Sequence, residues 1–98
     1  MEKKFIGLHV DPQRHAVSWK GRVLRRFTAL EFRLLSHLMQ NTGFVLKRED
    51  LLAQVWDKEL GSSTRTVDTH IKRLRKKLGP AAKYLQTVHR VGYVLESH

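Results

Sequence analysis

The side chains best suited to a chemical task lie between Thr64 and Leu78, in the stretch TRTVDTHIKRLRKKL. Val67, Ile71, Leu74 and Leu78 fall at i, i+4, i+7 and i+11, a single apolar stripe at the helical period. Wound at about 3.6 residues per turn, Arg65, Thr69, Lys72, Arg73 and Lys76 emerge on the opposite side, with Arg75 and Lys77 beside them. Asp68 is the only acid in the segment. A helix that buries one stripe and presents an almost purely basic face matches the chemistry of a polyanion, whose oxygens accept charge-assisted hydrogen bonds.

The elements around this helix read as a scaffold that holds and aims it. Residues 4–27 form a small antiparallel sheet with one buried face, and three or four strands fit the pattern. Phe5, Ile6, Leu8 and Val10 begin it, and Asp11-Pro12-Gln13-Arg14 is a turn. His15 to Trp19 follows, then a tight turn at Lys20-Gly21 into Arg22 to Phe27. Thr28-Ala29-Leu30-Glu31 matches a capping box, with Phe27 and Phe32 placed for a hydrophobic staple. Leu34, Leu35, Leu38 and Met39 continue the apolar face of this first helix, and Gly43 is expected to stop it. A second helix runs from about Arg48 to Trp56, with Glu49 and Asp50 in its first turn and Leu51, Leu52, Val55 and Trp56 on its buried side.

Asp57 to Ser63 reads as a loop, so the second and third helices make a helix-turn-helix. Ser63 and Thr64 are equally good caps for the third helix, and Gly79-Pro80 ends it. A terminal hairpin has arms Tyr84 to Val88 and Tyr93 to Leu95, with Gly92 expected to relieve the backbone at the turn.

Bulk properties narrow the function class. With 98 residues, the chain is one domain, 1–98, large enough for a modest core but not for a deep active site. The net charge is +10, and between Thr64 and Arg90 eight basic residues stand against one acid. Such a local field attracts phosphates or anionic lipid. The threonines on the basic face, where an interfacial helix would carry aromatics or leucines, argue against lipid. There is no cysteine, which excludes disulfides and thiolate metal sites and permits a reducing cytosol. No apolar run approaches the ~20 residues of a membrane span, and no signal-peptide core is present.

Nothing resembles a nucleophile elbow, a P-loop or metal-spaced histidines, so neither catalysis nor a metal or cofactor is expected. Asp68 and His70 are two apart on a helix and point in different directions. Single-stranded RNA binding would favour exposed aromatics, and the tyrosines and tryptophans fit core or hairpin positions better. A basic helix meeting an acidic protein partner is compatible with nucleic-acid binding.

The order sheet, three helices, hairpin is that of a winged helix, an α+β fold. The residues also resemble the DNA-binding effector domains of bacterial two-component response regulators of the OmpR/PhoB type. The matching pieces are Phe27-Thr28-x-x-Glu31-Phe32-x-Leu34-Leu35-x-x-Leu38, then Gly43-x-Val45, Arg48-Glu49-x-Leu51 and Val55-Trp56. They continue with Arg65-Thr66-Val67-Asp68-x-His70-Ile71-x-x-Leu74-Arg75-x-Lys77-Leu78, Thr87-Val88 and Gly92-Tyr93, together spanning about residues 5 to 95. Two positions depart from the pattern. Lys47 stands where the family has a serine cap, and the wing turn His89-Arg90-Val91-Gly92-Tyr93 moves the arginine one place toward the tip and loses a glycine.

The resemblance implies a third helix in the major groove of duplex DNA and a wing in the adjacent minor groove. Arginine can pair with guanine O6 and N7, and threonine can bond a base or contact the thymine methyl, which makes Thr69 and Arg73 the expected base readers. Arg65, His70, Lys72, Arg75 and Lys76 are expected at phosphates, as is Trp56 through its indole N–H. Five phosphate contacts would give a log–log salt slope of about −4 to −5. Thr87, His89 and Arg90 belong to the wing, where a narrow, negative minor groove suits a cation. The resemblance further implies binding to direct repeats as a head-to-tail dimer, and contact with RNA polymerase through loop 57–63. A receiver domain and a sensor kinase would lie outside this chain, and the location would be cytoplasmic. A stand-alone or membrane-anchored one-component regulator is the alternative.

Overall fold

The computed structural model describes residues 7–24, 26–56 and 63–96. The expected strand start at Phe5-Ile6 and the loop from Asp57 to Ser62 lie outside the described residues. The first sheet is antiparallel with the order β1 (Leu8–Asp11), β2 (Ala16–Trp19), β3 (Arg22–Leu24). Leu8 pairs with Trp19, and Val10 with Val17, which in turn faces Leu24. These alternate residues make the face turned to the core, where Leu8 and Val17 are buried. Lys20 (φ 51°) and Gly21 (φ 81°) close the β2–β3 hairpin with two consecutive positive-φ residues, the conformation that matches strand twist in a two-residue turn.

Helix α1 (Ala29–Gln40) starts on the expected capping box. The Glu31 N–H donates to Thr28 Oγ1 at 3.1 Å, and the Thr28 N–H donates to Glu31 Oε1 at 2.8 Å. Glu31 is only 2% exposed, and the Lys77 ammonium donates both to its carboxylate and to the Arg26 carbonyl. Burial alone would raise the pKa of Glu31. The bond from Lys77, the Thr28 N–H and the ammonium charge outweigh burial and hold the carboxyl below its ordinary value. A depressed folded-state pKa stabilises the fold above the unfolded value of 4.5, and this contribution is lost as pH falls through the folded value. Glu31→Gln is therefore expected to flatten the acid limb of a stability-versus-pH curve below about pH 4.5, as followed by urea denaturation.

Gly43 does not end α1. The helix stops at Gln40, and Asn41 caps it: its N–H donates to Leu38 O at 3.2 Å and its Nδ2 to His37 O at 2.8 Å. Thr42 Oγ1 covers the Met39 carbonyl at 2.6 Å. Side chains thus satisfy the terminal carbonyls without a left-handed glycine. Gly43 (φ 86°) instead turns the chain so that its N–H donates to Leu95 O at 2.9 Å.

That turn leads into β4 (Leu46–Lys47), a strand the sequence pattern did not suggest. The expected C-terminal hairpin is present as β5 (Leu85–Val88) and β6 (Gly92–Leu95), and β4 adds a third antiparallel strand in the order β4-β6-β5. Helix α2 (Arg48–Val55) begins directly after β4, and Trp56 follows its last turn. Lys47 provides no side-chain cap. The Arg48 N–H, one of the free donors of the first turn, reaches Val91 O in the wing turn at 3.3 Å.

Helix α3 (Thr64–Leu78) has Ser63 as its cap, with the Ser63 N–H donating to Thr66 Oγ1 at 3.4 Å. Val67, Ile71, Leu74 and Leu78 are each 0% exposed, and pack with Leu34, Leu35, Leu38 and Leu51 in the centre of the core. Gly79 (φ 58°) ends α3, and Gly79–Tyr84 is a 3₁₀ helix, so Tyr84 precedes the strand it was expected to begin.

Gly92 has a different role from the one expected. Its φ lies outside the left-handed region, which Arg90 adopts instead (φ 65°). Gly92 pairs with Lys47 on one side and Val88 on the other, and an added Cβ would stand 1.9 Å from the Leu46 carbonyl oxygen. Close approach of β4, not turn geometry, requires the glycine.

Candidate nucleic-acid interface

Helix α3 carries its polar residues in three sectors. Arg65, Thr69, Lys72, Arg73 and Lys76 are exposed and project away from the buried stripe. Thr69 Oγ1 donates back to Arg65 O at 3.1 Å, and its oxygen keeps its capacity to accept on an exposed side chain. The two flanks of the helix are engaged with the rest of the fold.

On one flank, His70 Nδ1 lies 2.8 Å from Thr66 O; a carbonyl can only accept, so Nδ1 carries a proton. The His70 ring sits edge-on to Trp56, with centroids 5.2 Å apart. Trp56 is 6% exposed, so the body of the indole is core. Lys77, beside it on this flank, is held by Glu31 and Arg26 and is not part of the open basic face.

On the other flank are Asp68 and Arg75. Asp68 Oδ1 accepts from Arg48 Nε at 2.8 Å and from the Tyr93 hydroxyl at 2.6 Å. The hydrogen bond to Asp68, followed by the one to Tyr93, raises the pKa of Arg48 and keeps it charged. Burial, and then the bond to Asp68, raises the pKa of Tyr93 above 10, so its hydroxyl remains a donor at neutral pH. Arg75 donates from Nε and Nη2 to Leu85 O (3.1 and 2.9 Å) and from Nη2 to Thr87 Oγ1 (2.8 Å). The guanidinium carbons of Arg48 and Arg75 lie 6.0 and 5.7 Å from the centroid of the Tyr93 ring.

At the wing tip, His89, Arg90 and Val91 are all exposed, and the Val91 N–H closes the turn onto Val88 O at 2.9 Å. Thr87 is exposed on β5, with its hydroxyl accepting from Arg75. The expected base readers thus share one open face with Arg65, Lys72 and Lys76, and His89 and Arg90 stand together on the turn of the adjoining wing. Trp56 and Arg75 are packed into the fold. The polar cluster of Arg48, Asp68 and Tyr93 was not singled out from the sequence. Its signal was Asp68 itself, a lone acid within a basic helix.

An open cationic face on the third helix, beside a three-stranded wing with a cationic tip, defines a winged helix-turn-helix domain. Residues 22–95 match the family profile "Transcriptional regulatory protein, C terminal". The sensory transduction protein RegX3 of Mycobacterium leprae is 43% identical over 93 residues, covering 92% of this chain and 46% of that protein. The response regulator AdeR DNA-binding domain, crystallised in complex with an intercistronic region, superposes with a TM-score of 0.84 at 28% identity, over 98% of this chain and 100% of that one. The DNA-binding domain of CpxR from E. coli gives 0.79 at 33% identity, over 97% and 95% of the two chains. The chain belongs to the OmpR/PhoB-type effector domains of transcriptional response regulators. It spans less than half the length of the RegX3 relative. Among the described residues no helix is long and apolar enough to cross a membrane.

Proposed function

We propose that this domain binds duplex DNA sequence-specifically, as the effector end of a longer cytoplasmic response regulator with a receiver domain that answers to a sensor kinase. The observation that carries the reading is the separation of α3 into a buried stripe and an open face bearing Arg65, Thr69, Lys72, Arg73 and Lys76. α3 enters the major groove, where Arg73 and Thr69 read bases, while Arg65, His70, Lys72 and Lys76 meet phosphates and Trp56 supports that row. The wing lays Arg90 and His89 against the adjacent minor groove, with Thr87 on the neighbouring backbone. Two copies bind direct repeats head to tail, and loop 57–63 faces RNA polymerase.

The test compares two substitutions on a selected and a scrambled duplex by fluorescence anisotropy. Arg73→Ala is expected to lose about 1–3 kcal/mol on the selected duplex and to relax preference at one base position. Lys76→Ala is expected to weaken both duplexes alike and to reduce the salt slope by about 1. With Arg75 engaged by the wing, four basic clamps remain, and the log–log slope is expected at about −3 to −4 per domain. Identical behaviour of the two variants on both duplexes would contradict the division into readers and clamps.

Arg90 offers a second check. A non-glycine residue at φ 65° is strained by about 1 kcal/mol relative to glycine, and strain retained at an exposed tip suggests that the side chain is needed there. Arg90→Gly is expected to raise thermal stability slightly and to weaken DNA binding. A variant that gains stability and binds as tightly as before would remove Arg90 from the interface.

A further inference from the structure

Asp68 and Arg75 stand seven residues apart, which is about two turns of helix, and so lie one above the other on the same flank of α3. Both reach into the wing. Asp68 holds the Tyr93 hydroxyl of β6 and, through Arg48, the start of α2. Arg75 forks onto the Leu85 carbonyl and the Thr87 hydroxyl of β5. The Tyr93 ring lies within reach of both guanidinium groups.

A helix tied to a sheet at one point can still roll about its axis or tilt. Two ties separated by about 10 Å along the axis remove both freedoms. The α3 face and the wing tip must meet two grooves of one duplex at a fixed separation, so this constraint bears on recognition.

We propose that Asp68 and Arg75 are positioning residues that lock α3 to the wing. The lock makes major-groove and minor-groove contacts one cooperative unit, and sequence discrimination depends on it. Asp68 Oδ1 and the Nε and Nη2 groups of Arg75 are committed within the domain, and their geometry, not their net charge, carries the role. The inference rests on the DNA-binding reading above.

Charge and geometry make opposite predictions at Asp68, which permits a clean test. Asp68→Ala removes the only negative charge from α3, so electrostatics alone would tighten binding to every duplex. The lock predicts instead that the ratio of affinities for selected over scrambled duplex falls about tenfold, while affinity for scrambled duplex holds or rises. A loss of folded protein would weaken both duplexes equally and leave the ratio unchanged.

Arg75→Lys keeps the charge and loses the planar fork. It is expected to lower the same ratio with no change in salt slope, and to weaken hydroxyl-radical protection under the wing more than guanine N7 protection under α3. Tyr93→Phe keeps the ring, deletes the hydroxyl with its bonds to Asp68 and Arg48, and is expected to move the ratio in the same direction. Native-like discrimination in Arg75→Lys, or equal tightening on both duplexes in Asp68→Ala, would overturn the proposal. Equal affinity of the unsubstituted domain for both duplexes would instead overturn the DNA-binding reading.

Discussion

Gly92→Ala is expected to destabilise the domain by about 3 kcal/mol or more, because the methyl group has nowhere to go. Its carbon would sit 1.9 Å from the Leu46 carbonyl oxygen and 2.9 Å from the Lys47 Cα, both atoms of the backbone. A flexible side chain could step aside; a paired strand cannot move without leaving its partner. β4 would separate from β6, and the Arg48 N–H would lose the Val91 carbonyl that now receives it. For a domain of this size the loss corresponds to a fall in Tm of about 12 °C or more. Far-UV circular dichroism during heating measures it, and an unchanged Tm would show that β4 does not approach as described. Because β4 and α2 are consecutive, the damage extends to the Arg48–Asp68 contact, so DNA affinity is expected to fall as well.

Val67→Asp is expected to be still more damaging. Val67 is 0% exposed on the stripe that seats α3, and its burial contributes about 1.5–3 kcal/mol. An aspartate there loses that burial and strands a carboxylate among Ile71, Leu74 and the α1 leucines, a further penalty of several kcal/mol. The sum approaches the whole stability of a typical domain, ~5–15 kcal/mol. Loss of the cooperative unfolding transition is the expected result. Retention of a sharp transition near the original Tm would contradict the assignment of the buried face, and with it the outward face opposite.

Helix α3 was legible in the sequence because its information is local: an apolar residue at each i, i+4, i+7 and i+11 specifies one inside face wherever the helix docks. The capping box of α1 was equally legible, being complete within Thr28 to Glu31. What escaped the sequence depends on partners far along the chain. Gly92 looks like a turn glycine in the sequence, but its requirement comes from Leu46, which carries no strand signal of its own. β4 is two residues long, too short for any periodicity. The end of α1 fell to Asn41 and Thr42 instead of Gly43, since side chains that bond back to helix carbonyls compete with a glycine cap.

The candidate site divided along the same line. That Arg65, Thr69, Lys72, Arg73 and Lys76 would face outward followed from helical geometry alone. That Arg75 and Lys77 would turn to β5 and to Glu31 did not, for a basic residue on a helix flank looks the same whether it meets solvent or a carbonyl. The start of α2 illustrates the same dependence: Lys47 gives no side-chain cap, and the carbonyl that receives the Arg48 N–H, that of Val91, lies in the wing and has no local signature.

The central claim is that the open face of α3 reads base sequence. It is tested most directly by selecting bound sites from a pool of random duplex DNA at physiological salt. The expected result is convergence on a short half-site, occurring twice in the same orientation, with Arg73→Ala relaxing one position of it. A pool that stays random after repeated rounds, while every duplex binds with equal affinity, would contradict it.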